Sequence, residues 1–301
     1  MSSSPPQAAS RLLSILGIFF LPLALTACGG GESEAGLRFT AIPDQDQSAL
    51  VERFTPLAEY LERELGVPVE YVPLRDYPAT VEAFRSGDVQ LAWFGGLTGV
   101  QSRAEVEGAR ALAQGAVDPN FRSYFIANAS TGLQRSEEFP EGLRGRSFTF
   151  GARDSTSGRL MPEHFVRTHT GQRAEEFFAQ PLGFSGAHDQ TARDVANGTY
   201  EAGVLNFLTY DAMVERGELD ADQCRVVWVT PGYPDYNWTA HPLLKERFGA
   251  DVFDRLQAAL VGLEDAELLS ALERPDGLIP AADEDYAPVA LLAAEMGFLD
   301  E

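Results

Sequence analysis

Segments with the patterns of strands and helices alternate twice along this chain of 301 residues, and the links between them are short. In the first series, a strand predicted at 37–42 is followed by apolar residues at helical spacing, and Gly66 ends that helix. Strands predicted at 67–72 and 89–94 flank a short helix at 77–85. Such a series with short links predicts a sheet of parallel strands covered by helices.

The same alternation restarts further along the chain. After one more strand, predicted at 123–127, the restarted series has strands at 146–150, 201–205 and 225–229, with helices between them at about 157–168, 187–197 and 208–216. After Pro231 the pattern becomes mainly helical, with one long helix over 248–260 and a terminal helix over 286–296. We therefore expect an α/β fold with two lobes, and a cleft beyond the carboxyl ends of the strands.

The N-terminal segment has the pattern of a bacterial lipoprotein signal. A single charge, Arg11, precedes an apolar run of ~14 residues, shorter than the roughly 20 that a spanning helix needs. The run ends in Leu-Thr-Ala and then Cys28, which would carry the lipid. We predict a signal peptide over 1–27 and a Gly-rich flexible tether over 28–36. The alternatives are a core helix or an ordinary signal peptide with a chance cysteine.

Charge and cysteine usage narrow the class of function. The net charge of −22 argues against a nucleic-acid partner, because binding a phosphate backbone needs a basic surface. The charge alone is also compatible with simple solubility. If lipid occupies Cys28, Cys224 is the one remaining cysteine, so no intramolecular disulfide is expected.

A loop rich in hydroxyl groups follows the strand predicted at 146–150 and leads into a helix. Ser155, Thr156 and Ser157 stand at the start of that helix, where backbone N–H groups are unpaired and the helix dipole is positive. Gly158 allows the backbone to come close to a ligand. The loop therefore predicts an anion site, although N-capping by one hydroxyl would explain it without a ligand.

Two further strand ends carry candidate binding residues. His188 opens the helix after the strand at 180–184 and could donate to an oxyanion, or it could be an ordinary surface histidine. Asn206 ends a buried apolar strand, where its amide could donate to a ligand or belong to a turn.

Sequence patterns of common enzyme sites are missing from the chain. It contains no Gly-x-Ser-x-Gly elbow and no Gly-x-x-x-x-Gly-Lys loop. Its four histidines do not have the spacing of metal ligands, so we expect no metal and no cofactor. A binding protein is therefore favoured over an enzyme.

Several segments together resemble the phosphate, phosphite and phosphonate-binding periplasmic components of ABC transporters, and most of all the branch named for selenate binding. The segments are Leu-Arg-Phe-Thr-Ala-Ile-Pro-Asp at 37–44, Asp-Val-Gln-Leu-Ala-Trp-Phe-Gly-Gly at 88–96, Ser-Thr-Ser-Gly-Arg-Leu-Met-Pro at 155–162, Ser-Gly-Ala-His-Asp at 185–189, Ala-Gly-Val-Leu-Asn at 202–206 and Asp-Tyr-Asn-Trp-Thr at 235–239. The resemblance covers essentially all of residues 37–298.

The resemblance implies a type II periplasmic-binding fold, with two α/β lobes joined by a hinge of two crossovers. We expect residues 37–127 and 232–301 in the first lobe and 128–231 in the second. The oxyanion contacts of the family fall on Tyr77, Phe94, Ser155, Thr156, Ser157, His188 and Asn206. Together with the predicted lipid on Cys28, the resemblance implies a periplasmic, membrane-anchored monomer that delivers a small tetrahedral oxyanion to a permease and an ATPase. A sensing lobe for a membrane kinase, or an enzyme on the same scaffold, are the alternatives.

Two positions depart from the phosphonate binders of the family. Phe94 stands where they usually have Tyr, and Asn206 stands where they have Asp. A carboxylate can accept the proton of a phosphonate, whereas beside a fully ionised selenate or sulfate it would be a costly like charge. The amide of Asn206 therefore predicts a preference for oxyanions without a proton, unless Asn206 only caps the following turn.

Overall fold

The computed structural model describes residues 36–299, and its eleven strands form two sheets. The predicted signal peptide, Cys28 and nearly all of the tether lie outside the described residues. The first part of the described chain contains β1 (Leu37–Ala41), α1 (Gln47–Leu65), β2 (Val69–Tyr71), α2 (Tyr77–Arg85), β3 (Leu91–Phe94), α3 (Gly96–Glu105) and β4 (Arg110–Gly115).

The middle of the chain forms the second sheet and its helices. It contains β5 (Ser123–Asn128), β6 (Ser147–Phe150), α4 (Met161–Thr170), α5 (Ala174–Phe177), β7 (Ala179–Phe184), α6 (His188–Ala196), β8 (Ala202–Asn206), α7 (Phe207–Glu215) and β9 (Cys224–Val229). The last part contains β10 (Asn237–Ala240), α8 (Leu243–Phe248), α9 (Val252–Val261), α10 (Ala266–Ala271), β11 (Leu278–Pro280) and α11 (Ala287–Met296).

The first sheet has the strand order β11-β4-β10-β3-β1-β2 and is mixed rather than wholly parallel. Strand β1 pairs in parallel with β2 and β3, as predicted. Strand β10 lies antiparallel between β3 and β4, and β11 adds to the far edge. The mainly helical tail predicted after Pro231 is therefore wrong at β10. This strand has four residues, all buried, and so lacks the alternation that marks a longer strand.

The tail also differs in its helices. The single long helix predicted over 248–260 is two helices, α8 and α9, separated at Gly249, whose φ of 96° ends α8. Strand β4 was not predicted either, because its Arg-Ala-Leu-Ala-Gln-Gly sequence holds no β-branched or aromatic residue.

The second sheet has the order β7-β6-β8-β5-β9. Strand β5 pairs antiparallel with β8 and β9, so it belongs wholly to this sheet. The chain therefore passes from the first sheet to the second between Gly115 and Ser123, earlier than the lobe boundary expected at residue 128. It returns between Val229 and Asn237, near the expected second crossover. The two crossovers touch each other through an antiparallel bridge between Phe121 and Tyr233.

Aromatic side chains fill the cores of both lobes. Phe39, Phe54 and Trp238 pack edge to face in the first lobe, and Phe125, Phe148 and Trp228 pack together in the second. Each such buried ring contributes about 1.5–3 kcal/mol relative to an exposed one.

An apolar contact between the lobes lies beside the loop at 151–158. Leu160 of the second lobe is fully buried within a cluster made by first-lobe residues, among them Leu97, Val100, Tyr286 and Val289. No helix within residues 36–299 is both long enough and apolar enough to cross a membrane.

Candidate functional site

The hydroxyl-rich loop is buried over residues 155–158, and it ends in a helical turn of the wide, π type. The turn covers Thr156–Leu160 and runs directly into α4. The Ser155 hydroxyl caps the turn by accepting a hydrogen bond from the N–H of Gly158 at 2.9 Å. A Cβ on Gly158 would lie 3.1 Å from Cε1 of His188, so the glycine leaves room for the close approach of the histidine ring. All three hydroxyl residues, 155 to 157, are at most 3% exposed.

His188 stands at the first position of α6 and is brought against this loop. Its Nδ1 accepts the backbone N–H of Asn206 at 3.3 Å, and its Nε2 lies 3.5 Å from the Ser157 hydroxyl oxygen. Burial lowers the pKa of His188 to about 4, so the ring is neutral at neutral pH. Because Nδ1 accepts, the single proton is on Nε2, which faces Ser157 as a neutral donor.

Asn206 has the capping role that the sequence left open, together with a second contact. Its Oδ1 accepts the N–H of Thr209 at 2.7 Å and so caps α7. Its Nδ2 donates to the hydroxyl of Tyr236 at 3.2 Å. This second bond crosses between the lobes, because Tyr236 precedes β10 of the first sheet.

The structure brings one of the two predicted first-lobe aromatics to the loop. Tyr77, at the start of α2, is 3% exposed. Burial raises the pKa of its phenol well above the ordinary value, against the effect of a hydrogen bond with Ser155, so Tyr77 remains protonated. Phe94 is fully buried, and its ring packs edge to face on Phe84 at 5.4 Å between centroids. That contact is part of the first-lobe core.

Two buried carboxyl groups of the first lobe were not identified from the sequence. Asp235 is 1% exposed, and its Oδ1 accepts the N–H of Gly96 at 2.9 Å. Burial raises its pKa to about 7, although the Gly96 N–H and the hydroxyls of Thr156 and Ser157 oppose this. Asp44 is 5% exposed, accepts the Tyr236 hydroxyl at 2.7 Å, and has its pKa raised to about 6 by burial.

A sequence signal for Asp44 existed. It follows β1 at the carboxyl end of that strand, by the same rule that pointed to Ser155 after β6. Asp235 and Tyr236 had no such signal, because they precede a short antiparallel strand that was not predicted.

Direct contacts close the lobes around this cluster. The Thr156 hydroxyl oxygen accepts the N–H of Leu97 at 2.9 Å, and the N–H of His188 donates to the carbonyl of Asp44 at 2.8 Å. A Cβ on Gly95 would lie 3.1 Å from Oγ1 of Thr156 and 3.3 Å from Oδ1 of Asp235. The glycine at 95 therefore permits the close approach of the two lobes.

A cavity of about 500 Å³ opens beside the cluster and is lined by both lobes. Tyr77, Pro78, Ala152, Phe184 and Ala187 contribute to its walls. A larger cavity of about 720 Å³ lies on the second lobe and is lined by none of the clustered residues. Within residues 36–299, no group of three or more His, Cys, Asp and Glu side chains is arranged to hold a metal ion.

The clustered groups can offer an anion hydrogen-bond donors that carry no positive charge, and Arg75 and Arg153 line the adjoining cavity. Hydroxyls, a neutral imidazole and helix N-termini offer donors, while the carboxyl groups of Asp44 and Asp235 offer acceptors. A ligand that matches both must be a small anion able to accept several hydrogen bonds and donate one.

Comparison with known proteins places the chain in a family. Residues 39–286 match the family described as "ABC transporter, phosphonate, periplasmic substrate-binding protein". The "Probable ABC transporter phosphite binding protein PhnD1" of Prochlorococcus marinus is 36% identical over 230 residues, which are 76% of this chain and 77% of that protein. The "Phosphate-import protein PhnD" of Mycolicibacterium smegmatis is 30% identical over 88% of this chain and 86% of its own.

Solved structures agree with the sequence relatives. The structure of Prochlorococcus marinus PhnD1 in complex with methylphosphonate superposes with a TM-score of 0.82 at 33% identity, covering 87% of this chain and 98% of that one. The binding protein of an ABC phosphonate transporter from Pseudomonas aeruginosa has the same fold, with a TM-score of 0.74 at 19% identity over 87% of this chain and 86% of that one. The predicted type II fold is confirmed, and this chain belongs to the periplasmic substrate-binding proteins of phosphonate ABC transporters.

Proposed function

We propose that this protein captures a small phosphorus oxyanion, of the phosphite and methylphosphonate class, between its two lobes and delivers it to the permease of an ABC importer. The observation that carries the proposal is the buried cluster of neutral donors around the loop at 155–157, with Tyr77 and His188 facing it. In a chain of net charge −22, the overall field repels anions, so groups at the site itself must supply the attraction. The Prochlorococcus relative is named as a phosphite-binding protein, and its solved structure is a complex with methylphosphonate, which supports the same ligand class.

Selenate is the competing ligand, expected from Asn206. The amide of Asn206 stands where phosphonate binders of the family have a carboxylate, and this replacement by itself favours an oxyanion without a proton. In the structure, Asn206 caps α7, and the carboxyl groups of Asp44 and Asp235 lie in the same cluster. A buried carboxylate beside a fully ionised selenate is an uncompensated repulsion, whereas a protonated phosphorus oxyanion can donate to it. The carboxyl groups therefore favour phosphite and methylphosphonate.

We propose Tyr77, Ser155, Thr156, Ser157 and His188 as the donors to the ligand. The Thr156 hydroxyl already accepts the N–H of Leu97, so its one proton is available for an acceptor, either the ligand or Asp235. We propose no ligand contact for Phe94, because its ring packs on Phe84 in the core. Asn206 acts on the site indirectly, through its hydrogen bond to the hydroxyl of Tyr236.

The test is calorimetric titration of the purified protein with phosphite, methylphosphonate, phosphate, sulfate and selenate. We expect phosphite or methylphosphonate to bind most tightly. Thr156→Val keeps the side-chain volume but removes the hydroxyl, and it should weaken binding by ~1–3 kcal/mol, or about 5- to 150-fold.

Thr170→Val is the matched control. Its hydroxyl bonds to the carbonyl of Val166 at the far end of α4, so binding should not change. Equal affinity in the parent and in Thr156→Val would remove the hydroxyl loop from the site. Failure of the parent to bind any of the phosphorus oxyanions would contradict the proposed function itself.

We further propose that the protein is anchored to a bacterial membrane through lipid on Cys28. The short apolar run before the Leu-Thr-Ala-Cys sequence supports this proposal. Cys28→Ser should abolish labelling by a radioactive fatty acid and release the protein from the membrane fraction. Membrane association of the variant equal to that of the parent would contradict the anchor.

A further inference from the structure

Three hydrogen bonds in series cross the site, and their direction is determined. The N–H of Thr209 can only donate, so the Asn206 atom 2.7 Å from it is the amide oxygen. The Nδ2 of Asn206 therefore faces Tyr236 at 3.2 Å and donates to its oxygen. The phenol has one proton, which goes to Oδ2 of Asp44 at 2.7 Å. Asp44 thus accepts at the end of a series that starts in the other lobe.

The second oxygen of Asp44 is available. No hydrogen bond within residues 36–299 involves Oδ1 of Asp44, although the residue is 5% exposed. The backbone carbonyl of the same residue accepts the N–H of His188 at 2.8 Å, which fixes Asp44 beside the histidine of the donor cluster. Tyr77, the first-lobe donor, lies near enough for the charge of Asp44 to raise its pKa.

The surroundings of Asp44 keep the carboxyl near its point of ionisation. Burial raises its pKa to about 6, and the effects of Arg53 and of the Tyr236 hydrogen bond lower it less. Arg53 is itself paired with Glu273 at 2.9 Å, so its charge is shared. The titratable and charged groups around Asp44 are Arg53 of α1, Tyr71 of β2, Tyr77 of α2, His188 of α6, Tyr236, Glu273 and Arg274.

We infer that Asp44 is the residue by which this site distinguishes oxyanions that carry a proton from those that do not, and that Asn206 and Tyr236 position it for this role. The inference rests on the proposed function and concerns its selectivity. Phosphite and alkylphosphonates keep an acidic O–H close to neutral pH, and that O–H can donate to Oδ1 of Asp44. Sulfate and selenate have no proton, so they would meet a buried like charge.

The amide at 206 has a physical role in this arrangement. With Asp at 206, one carboxylate oxygen would still cap α7 and the other would compete with Asp44 for the single proton of Tyr236. With Asn at 206, the phenol is committed to Asp44. The acceptor for the ligand proton is therefore supplied by the first lobe rather than by position 206.

Asp44→Asn tests the inference, because the amide keeps the shape and removes the charge. We expect phosphite and methylphosphonate affinity at neutral pH to fall by about 10- to 150-fold, while selenate and sulfate affinity stays the same or rises. The measured quantity is the ratio of phosphite to selenate affinity by calorimetry. An unchanged ratio in a variant that melts like the parent would overturn the inference.

Tyr236→Phe supplies an independent readout. Loss of the phenol destabilises the ionised form of Asp44, so its pKa should rise. Phosphite binding should then be lost at a higher pH than in the parent as the solution is acidified. Tyr210→Phe is the matched control, because that hydroxyl bonds to the carbonyl of Cys224 within the second lobe, at 2.5 Å.

The results separate the two proposals. If the parent binds phosphite but neither variant changes the selectivity or the pH profile, Asp44 has no selective role and the proposed function stands. If the parent binds no phosphorus oxyanion, the proposed function fails, and this inference fails with it. If selenate binds the parent more tightly than phosphite does, the selectivity runs opposite to the inference.

Discussion

The two sides of the site differ in chemistry and in origin. The second-lobe side is neutral: three consecutive hydroxyl residues at the start of one helix, and a neutral His188 at the start of another. The first-lobe side holds the carboxyl groups of Asp44 and Asp235, both nearly fully buried. The second-lobe side therefore offers neutral donors for a negative charge, whereas the first-lobe side combines the donor Tyr77 with acceptors for a proton. A binding protein that must recognise a protonated anion needs both.

A buried ion pair supports each side of the site. On the first-lobe side, Arg274 and Asp118 form a doubly hydrogen-bonded ion pair with both distances at 2.8 Å, and both side chains are at most 3% exposed. The guanidinium lies 4.9 Å from the ring of Tyr236 and 5.2 Å from that of Trp93. On the second-lobe side, Arg159 pairs with Glu163 at 2.6 Å. On the first-lobe side, the buried guanidinium of Arg274 therefore packs on the ring of Tyr236, whose hydroxyl bonds to Asp44.

The largest effect is expected from Arg274→Met. The substitution leaves Asp118 as a buried charge without its cation, and such losses cost about 3–5 kcal/mol of unfolding free energy. Urea unfolding measures the difference. Arg255→Met is the control, because the exposed pair of Arg255 and Asp251 at 3.3 Å should contribute little. If the two variants lose equal stability, the first-lobe side does not depend on its buried ion pair.

A smaller, pH-dependent effect is expected from Asp235→Asn. Burial raises the pKa of Asp235 from its ordinary 3.8 to about 7, so the folded protein holds a proton that the unfolded chain has lost. Asp235 therefore contributes less and less to the stability of the parent as the pH rises from about 4 to about 7. The variant lacks this dependence and should gain up to ~1–4 kcal/mol of relative stability above pH 7.

The control for this pH profile is a hydroxyl variant of the second lobe. His188 has its pKa lowered to about 4 and acts in the opposite sense below pH 6.5, but it is present in both proteins and cancels in the difference. Thr170→Val removes a second-lobe hydroxyl that bonds to the carbonyl of Val166 at the far end of α4, and it should show no pH dependence relative to the parent. Thermal melting over pH 4 to 8 would measure all three; a flat difference for Asp235→Asn would remove the contrast between the sides.

The donor side of the site was predictable because it is local in sequence. Ser155, Thr156 and Ser157 are consecutive, they follow a strand, and they open a helix, so one rule about strand ends and helix dipoles identifies them. His188 obeys the same rule after β7. Phe94 satisfied the rule by position, but its ring packs on the core face of β3, and a pattern of residue types does not report that.

The acceptor side was hard to predict because its contacts are distant in sequence. Asp44 and Tyr236 are separated by 192 residues, and Asp235 and Gly96 by 139. Their proximity depends on β10 returning into the first sheet between β3 and β4. That strand is four residues long and fully buried, so no periodic pattern marked it.

By itself, the sequence determined the α/β alternation, the two units and the hydroxyl loop, because each is a property of residues close together in the chain. The tertiary structure decided the membership of β5 in the second sheet, the return of β10 to the first, and the carboxyl groups placed opposite the donors. It also decided the direction of the Asn206 amide, through the bond from Thr209. The physical reason is that strand pairing and lobe closure join groups whose separation along the chain leaves no local pattern, and only the packed arrangement determines which of them meet.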